Sequence, residues 1–231
     1  MTHIQPHIIA YSCATILFLL LSCSNEKDID PAYTNYLYDI VTYMGVDARG
    51  METFRMESRT SERAITLLAQ GTHAPSDSYI GRRLLLRYNY LTPYSDNDTI
   101  RQIEAYSAQS IISDSLRYTL NPIALYLRDN SPLRLHSVWR TGNYINMHGQ
   151  LEYTGRSRHF YILIDTVTWH DDTVHCYMVH NVFGDTTRHW REFYGSFFVG
   201  TVWRDNPQRV IRLHTNDLLH PSDSIHDFQK Q

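Results

Sequence analysis

Arg83-Leu84-Leu85-Leu86-Arg87-Tyr88-Asn89-Tyr90 is the stretch that decides the fold class. Its even positions, Leu84, Leu86, Tyr88 and Tyr90, are apolar or aromatic. Its odd positions, Arg83, Arg87 and Asn89, are polar, with Leu85 the one exception. Successive side chains of a strand point to opposite faces, so this alternation predicts a half-buried β-strand. Similar short runs occur at 36–44, 53–58, 64–68 and 100–107. Between them lie the breakers Gly45, Gly50 and Gly71, the cluster Ala74-Pro75-Ser76-Asp77, and the stretch from Thr92 to Asp98. Five short strands punctuated by turn signals predict a small antiparallel barrel.

The second half carries the same pattern in longer runs. His159-Phe160-Tyr161-Ile162-Leu163-Ile164-Asp165 places Phe160, Ile162 and Ile164 on one face. A turn at His170-Asp171-Asp172 leads into a strand over 174–180. A long aromatic strand is predicted over 193–203, relieved at Gly195 and Gly200, and a closing strand over 209–214. Asn121-Pro122 interrupts the pattern, which puts the domain boundary near Leu120. The expected organisation is all-β: an OB-like barrel over 33–119, an antiparallel β-sandwich over 120–219, and a polar tail over 220–231.

Composition narrows the function classes. The chain has 231 residues, 42% hydrophobic and 19% charged, with net charge −3. That balance is globular rather than disordered. It lacks the basic stripe by which nucleic-acid binders displace counterions, so no nucleic acid is expected as a partner. The 17 Tyr against 10 Gly favour a pleated, half-buried surface.

The N-terminus reads as an export leader. Residues 8–21 form one largely apolar run, and no charged side chain occurs before Glu26. The run is shorter than the ~20 residues of a membrane span and suits a signal-peptide core. It stops at Leu20-Leu21-Ser22-Cys23, which resembles the bacterial lipobox. The expectation is a signal peptide over 1–22 and Cys23 lipidated as the first residue of the mature protein. The stretch 23–32 would then be a polar tether, and the protein would be held to a lipid bilayer through the acylated cysteine. One departure stands out: the n-region carries His3 and His7 but no Lys or Arg. Of the three cysteines, Cys13 would leave with the leader and Cys23 would be acylated. Cys176 would remain, with no internal disulfide.

Several stretches of the second half carry a family resemblance. They are Ser137-Val138-Trp139-Arg140-Thr141-Gly142-Asn143-Tyr144-Ile145-Asn146, Arg158-His159-Phe160-Tyr161-Ile162-Leu163, His180-Asn181-Val182-Phe183-Gly184-Asp185 and Tyr194-Gly195-Ser196-Phe197. With the lipobox and the strand-rich first half, the chain resembles the NigD-like lipoproteins of Bacteroidetes. The resemblance implies an N-terminal OB-like domain before a C-terminal β-sandwich, and a place in the cell envelope at the outer membrane. It implies bacteriocin immunity only by association, and it brings no catalytic residues to carry over.

Site chemistry in the residues themselves is sparse. On a strand over 174–180, His175 and Cys176 point to opposite faces. His180 shares the face of Cys176 but stands about 13 Å away at ~3.3 Å per residue, too far to share a metal. Tyr194-Gly195-Ser196-Phe197 has one glycine of a nucleophile elbow and lies mid-strand. No catalytic residues, metal or cofactor are therefore expected. Trp139 and Trp203 sit in strand patterns and read as sandwich core. Trp169 and Trp190 lie beside polar turns and are the expected partner-binding residues, exposed at one end of the sandwich. The expected function is a non-enzymatic, membrane-anchored lipoprotein that binds a protein or other macromolecule. The alternative is a glycan-binding accessory of a surface polysaccharide system.

Overall fold

In the computed structural model, residues 36–59, 63–93, 98–128, 130–153, 159–182 and 189–230 are described. The leader, Cys23 and the tether lie outside the described residues, as do Arg158, Phe183, Gly184 and Asp185.

The alternation around residues 83–90 produces the strand it predicts. Strands β1 (Leu37–Val46), β2 (Glu52–Glu57), β3 (Ala64–Ala69), β4 (Arg83–Tyr90) and β5 (Ile100–Ser110) close a barrel in the order β1-β2-β3-β5-β4. All pairs are antiparallel except β3 with β5, the one parallel pairing. This is the OB-like arrangement. Leu84, Leu86 and Tyr88 are fully buried in the barrel, where they join Val41, Tyr43, Phe54, Leu67 and Ile103. One barrel end is sealed by Glu52, whose buried carboxylate accepts from the backbone N–H groups of His73 and Ala74, both at 2.8 Å.

The second half is a two-sheet sandwich. Its elements are β6 (Ile112–Ser115), β7 (Arg117–Thr119), helix α1 (Pro122–Arg128), β8 (Arg134–Thr141), β9 (Tyr144–Tyr153), β10 (His159–Asp165), β11 (Thr173–Asn181), β12 (His189–Phe198), helix α2 (Gly200–Asp205), β13 (Val210–His214) and β14 (Ile225–Phe228). One sheet runs β14-β13-β11-β10-β7, the other β6-β12-β9-β8. Their inner faces interdigitate through Met147, Phe160, Ile162, Cys176, Met178, Phe193, Phe197 and Leu213. On the outer side of the five-stranded sheet, α1 covers Leu163, Tyr177 and Val179 with Leu125 and Tyr126.

Three sequence expectations change. The strand expected over 193–203 ends at Phe198, and the chain turns into α2. There Trp203 is buried in the core and donates its indole N–H to the carbonyl of Arg209 at 2.9 Å. Apolar continuity alone does not separate a strand from a short buried helix. The sandwich also begins before residue 120: β6 pairs in parallel with β12, and β7 with β10. The polar tail contains β14, which pairs with β13 and places Asp227 on Arg212 at 2.7 Å. Its alternating Ile225, His226, Asp227 and Phe228 suit a sheet edge.

Barrel and sandwich belong to one compact unit, Leu37–Gln231. The residue that ties them is Arg83. Its position in the alternation puts it on the face away from the barrel core, yet it is only 3% exposed. The guanidinium donates to Ser196 Oγ (3.0 Å), Thr42 Oγ1 (3.1 Å) and the carbonyl of Ile40 (3.0 Å), and lies 4.2 Å from the centroid of Tyr144. Ser196 donates onward to Asn146 Oδ1 and Asn146 to Thr141 Oγ1, each at 2.8 Å. Burial pushes the Arg83 pKa down to about 10, still well above neutrality, so the cation persists. The hairpin tip adds a second tie. Gly142, at φ +50°, donates to the carbonyl of Ser58 (3.2 Å), and a Cβ there would sit 2.8 Å from Glu57 Oε2.

Truncating Arg83 strands its buried acceptors, each worth ~1–3 kcal/mol when left unpaired. Arg83→Ala is expected to lower stability by about 3 kcal/mol. In urea titration the midpoint should fall with little change in slope; an unchanged midpoint would show that the network holds nothing together.

Candidate functional site

The outer face of the four-stranded sheet does not meet water along its whole length. Where it approaches the barrel, a cleft of about 240 Å³ opens between Tyr38, Asp39 and Ile40 of β1, Leu85 of β4 and Arg59 after β2 on one side, and Ser137, Trp139, His148 and Tyr194 on the other. A second, larger hollow of about 600 Å³ lies across Leu85 and Tyr194, floored by Leu151, Phe160 and Phe193.

A backbone irregularity supplies part of the first wall. Leu135 pairs with Gly149 and Ser137 with His148, so His136 is an extra residue in β8. A Cβ at Gly149 would stand 2.3 Å from the carbonyl oxygen of Arg134, and only glycine permits that approach. The bulge leaves both His136 and Ser137 exposed on this side of the sheet, the usual consequence of an inserted residue re-aiming its neighbours.

Glu192 organises the side chains beside the cleft. It accepts from Gln150 (2.6 Å), pairs with His148 (2.9 Å), and has His136 at 3.7 Å. Partial burial opposes its charge, but the hydrogen bonds from Gln150 and His148 and the two imidazoles outweigh it and hold the carboxyl below its ordinary range. His148, thus held, stacks flat on Tyr194 with ring centroids 4.4 Å apart. Across the cleft, the Arg59 guanidinium lies 5.3 Å from the Trp139 ring.

Asp39 borders the cleft through its strand, but its side chain lies on the barrel-core face of β1, opposite buried Leu86. One of its oxygens accepts from Tyr88 at 3.0 Å, and among the described residues no other donor reaches it. Burial pushes its pKa up, against the opposing pull of the Tyr88 hydrogen bond and the Arg59 charge.

The residues singled out in the sequence lie elsewhere. Trp169 sits at the end of the short turn after β10, half-buried against the sandwich core. It is edge-on to Tyr118 (5.8 Å), with Arg209 5.7 Å away. Trp190 is at the start of β12, with the Arg134 guanidinium 4.0 Å from its centroid. The nine residues of β11 run between the two, about 30 Å at ~3.3 Å per residue, so they occupy opposite ends of the sandwich and make no common site. Trp139, expected in the core, is half-buried and lines the cleft instead. Cys176 is fully buried, and burial pushes its thiol well above the ordinary range. His175 faces the other side and meets His214 at 2.9 Å, while buried His180 packs by Phe160 on the core side.

Residues 123–225 match the NigD-like C-terminal beta sandwich domain. The C-terminal half is a NigD-like β-sandwich domain. Solved structures extend the likeness across the barrel as well. A NigD-like immunity protein from Bacteroides caccae is 19% identical, covering 85% of this chain and 93% of its own, with a TM-score of 0.54. A protein of unknown function from Bacteroides vulgatus is 13% identical, covering 84% and 90%, at 0.61. A candidate lipoprotein from Bacteroides fragilis is 10% identical, covering 85% and 99%, at 0.55. At these identities the likeness is one of fold: an OB-like barrel followed by the NigD-like sandwich. Among curated proteins, none matches the chain.

Asp39 carries a pH signature. Its ordinary value is 3.8 and its folded value is higher, so its ionisation costs stability as pH rises through the folded value. Asp39→Asn, which keeps an acceptor for Tyr88, is expected to raise Tm at pH 7, with the gain shrinking towards pH 4. Thermal melts across that range check it. A lower Tm at pH 7 would mean the carboxylate is a structural anchor for Tyr88 and not a net cost to the fold.

Proposed function

We propose that this NigD-like protein is an envelope lipoprotein of the immunity type. Anchored through Cys23, it holds a macromolecular partner at the cleft between its two halves without turning it over. The observation that carries the reading is the cleft itself. Its walls come from two separate β-structures, and the buried Arg83 network fixes their spacing. A preformed cleft of this kind avoids an ordering cost on binding.

Other features support the same reading. The likeness to the immunity protein of B. caccae motivates the role, and the lipobox and the likeness to the B. fragilis candidate lipoprotein motivate the anchor. A non-enzymatic role accords with Cys176, the one cysteine among the described residues, being locked in the core with its thiol pushed up by burial. Outer-membrane placement follows from the same reasoning and belongs to the proposal.

The test is protease shaving of intact cells producing the wild type or Cys23→Ala, followed by membrane fractionation. Wild type is expected in the outer-membrane fraction and clipped from outside, with Cys23→Ala released to the soluble fraction. Identical fractionation of the two forms would refute lipid anchoring. Protection of the wild type until the outer membrane is broken would refute a surface-facing immunity role.

A further inference from the structure

We propose that the open edge of β12, in the hollow beside the cleft, takes an extended peptide from a partner protein as an added strand. The proposal rests on the reading that this protein holds a macromolecular partner, and it names the form in which the partner's chain is gripped.

Strand β12 is longer than its neighbour on one side. It pairs with β9 along its whole length, but β6 pairs only with residues 195–198. Two bonds fix which backbone groups face which way. Val199 donates to the carbonyl of Asn143 on the β9 side, and the carbonyl of Phe198 accepts from Leu116 on the β6 side. Successive residues of a strand direct their backbone groups to opposite edges. Trp190, Glu192 and Tyr194 therefore turn their N–H groups towards the β6 edge, and Trp190 and Glu192 turn their carbonyls there too. Before Gly195, that edge is paired with no strand among the described residues. Such a row of unpaired donors and acceptors is a template for another strand.

The hollow of about 600 Å³ lies along this edge. Arg191, Glu192, Phe193 and Tyr194 line it in succession, although their side chains alternate between the two faces of the sheet. A strand met at its edge presents consecutive residues in this way. Buried Leu151, Phe160 and Phe193 form the floor, with the Phe160 and Phe193 rings 5.2 Å apart. Phe160 belongs to the opposite sheet, so the hollow opens between the two layers. Leu85 and residues 109–111 form the far wall.

These features select a peptide strand. Such a strand would run ~4.8 Å from β12, with every second side chain turned to the floor. Trp190 to Tyr194 span about 17 Å, room for about five residues. A small apolar ligand would fill the floor but leave the edge groups unpaired. A second copy of the chain would have to bring a whole sheet edge past Leu85 and Gln109, where a lone strand enters by itself. Arg191 adds a charge preference. It is exposed, shares the face of Phe193 two residues away, and lies 5.3 Å from the Tyr153 ring. An acidic side chain two positions from an apolar one therefore matches rim and floor together.

The experiment is residue-by-residue hydrogen exchange by NMR on the purified, isotope-labelled full chain. The probes are the capped peptide Thr-Glu-Thr-Phe-Thr and its reverse sequence, each raised until the shifts saturate. Exchange at the amides of Trp190, Glu192 and Tyr194 is expected to slow roughly tenfold, with those of Arg191 and Phe193 little changed because they already bond to β9. Peptides methylated on every backbone nitrogen should not bind. Wild type should prefer the Glu peptide to its Lys counterpart, and Arg191→Glu should reverse that preference; melting curves establish that the variant is folded. The inference is overturned if the three edge amides stay unprotected, if the methylated peptides bind as well, or if the variant ranks the peptides as wild type does. Protection that grows with protein concentration in the absence of peptide would overturn it in favour of a second copy. Because the measurement uses purified protein, its failure is separable from a failure of membrane anchoring, which only the fractionation reads.

Discussion

A buried arginine that meets no carboxylate within hydrogen-bonding reach among the described residues holds the two halves of this protein together. Arg83 meets a hydroxyl, a carbonyl, a second hydroxyl and a tyrosine ring, with donors going to both β-structures at once. Burying a cation is costly, and this one is tolerated because each direction of its planar fork finds an acceptor or a π-face. The line Arg83–Ser196–Asn146–Thr141 extends that satisfaction through the outer face of the sandwich sheet. An apolar seam would have joined the halves as firmly but would have allowed sliding. Directional hydrogen bonds fix one register, and so fix the separation of the cleft walls.

Much of the strand layout was legible because period-2 alternation is a local property. Leu84, Leu86 and Tyr88 needed nothing beyond their own spacing to be assigned to a buried face. The other face of the same strand was illegible for the same reason. Alternation separates two faces but does not say whether the second meets water or another layer. Spacing puts Arg83 on the polar face of its strand and Trp139 in a strand pattern that reads as core, and both lie where barrel meets sandwich. Trp203 escaped in another way: its burial was read correctly, but the run leading to it continued past the point where the chain turns into helix.

The cleft was harder to see than the fold, because it is built from residues far apart in sequence. Asp39, Arg59, Trp139 and Tyr194 share no motif and come from separate elements. Gly149 was the nearest thing to a local signal, since a glycine inside a strand marks a bulge or a close backbone approach. Its effect falls on the neighbouring strand, at His136 and Ser137, which sequence spacing alone cannot specify. Trp169 and Trp190 drew notice as aromatics beside polar turns. Each is instead half-covered by a nearby arginine or by core side chains.

The strand pairing also sets an order of assembly. Every barrel pairing involves residues up to Ser110, so its hydrogen-bond ladder can close once that much chain is available. The sandwich cannot follow by simple extension. Ser115 pairs with Phe198, and Thr119 with Asp165, so its first two strands wait for partners made much later. Such long-range pairing is slow to form, because the loop must be closed before any contact rewards it. Through that interval Arg83 has its barrel acceptors but not Ser196, and a charged, half-satisfied face remains open to water. Late arrival of β12 covers that charge, so the docking of the halves is coupled to completion of the chain.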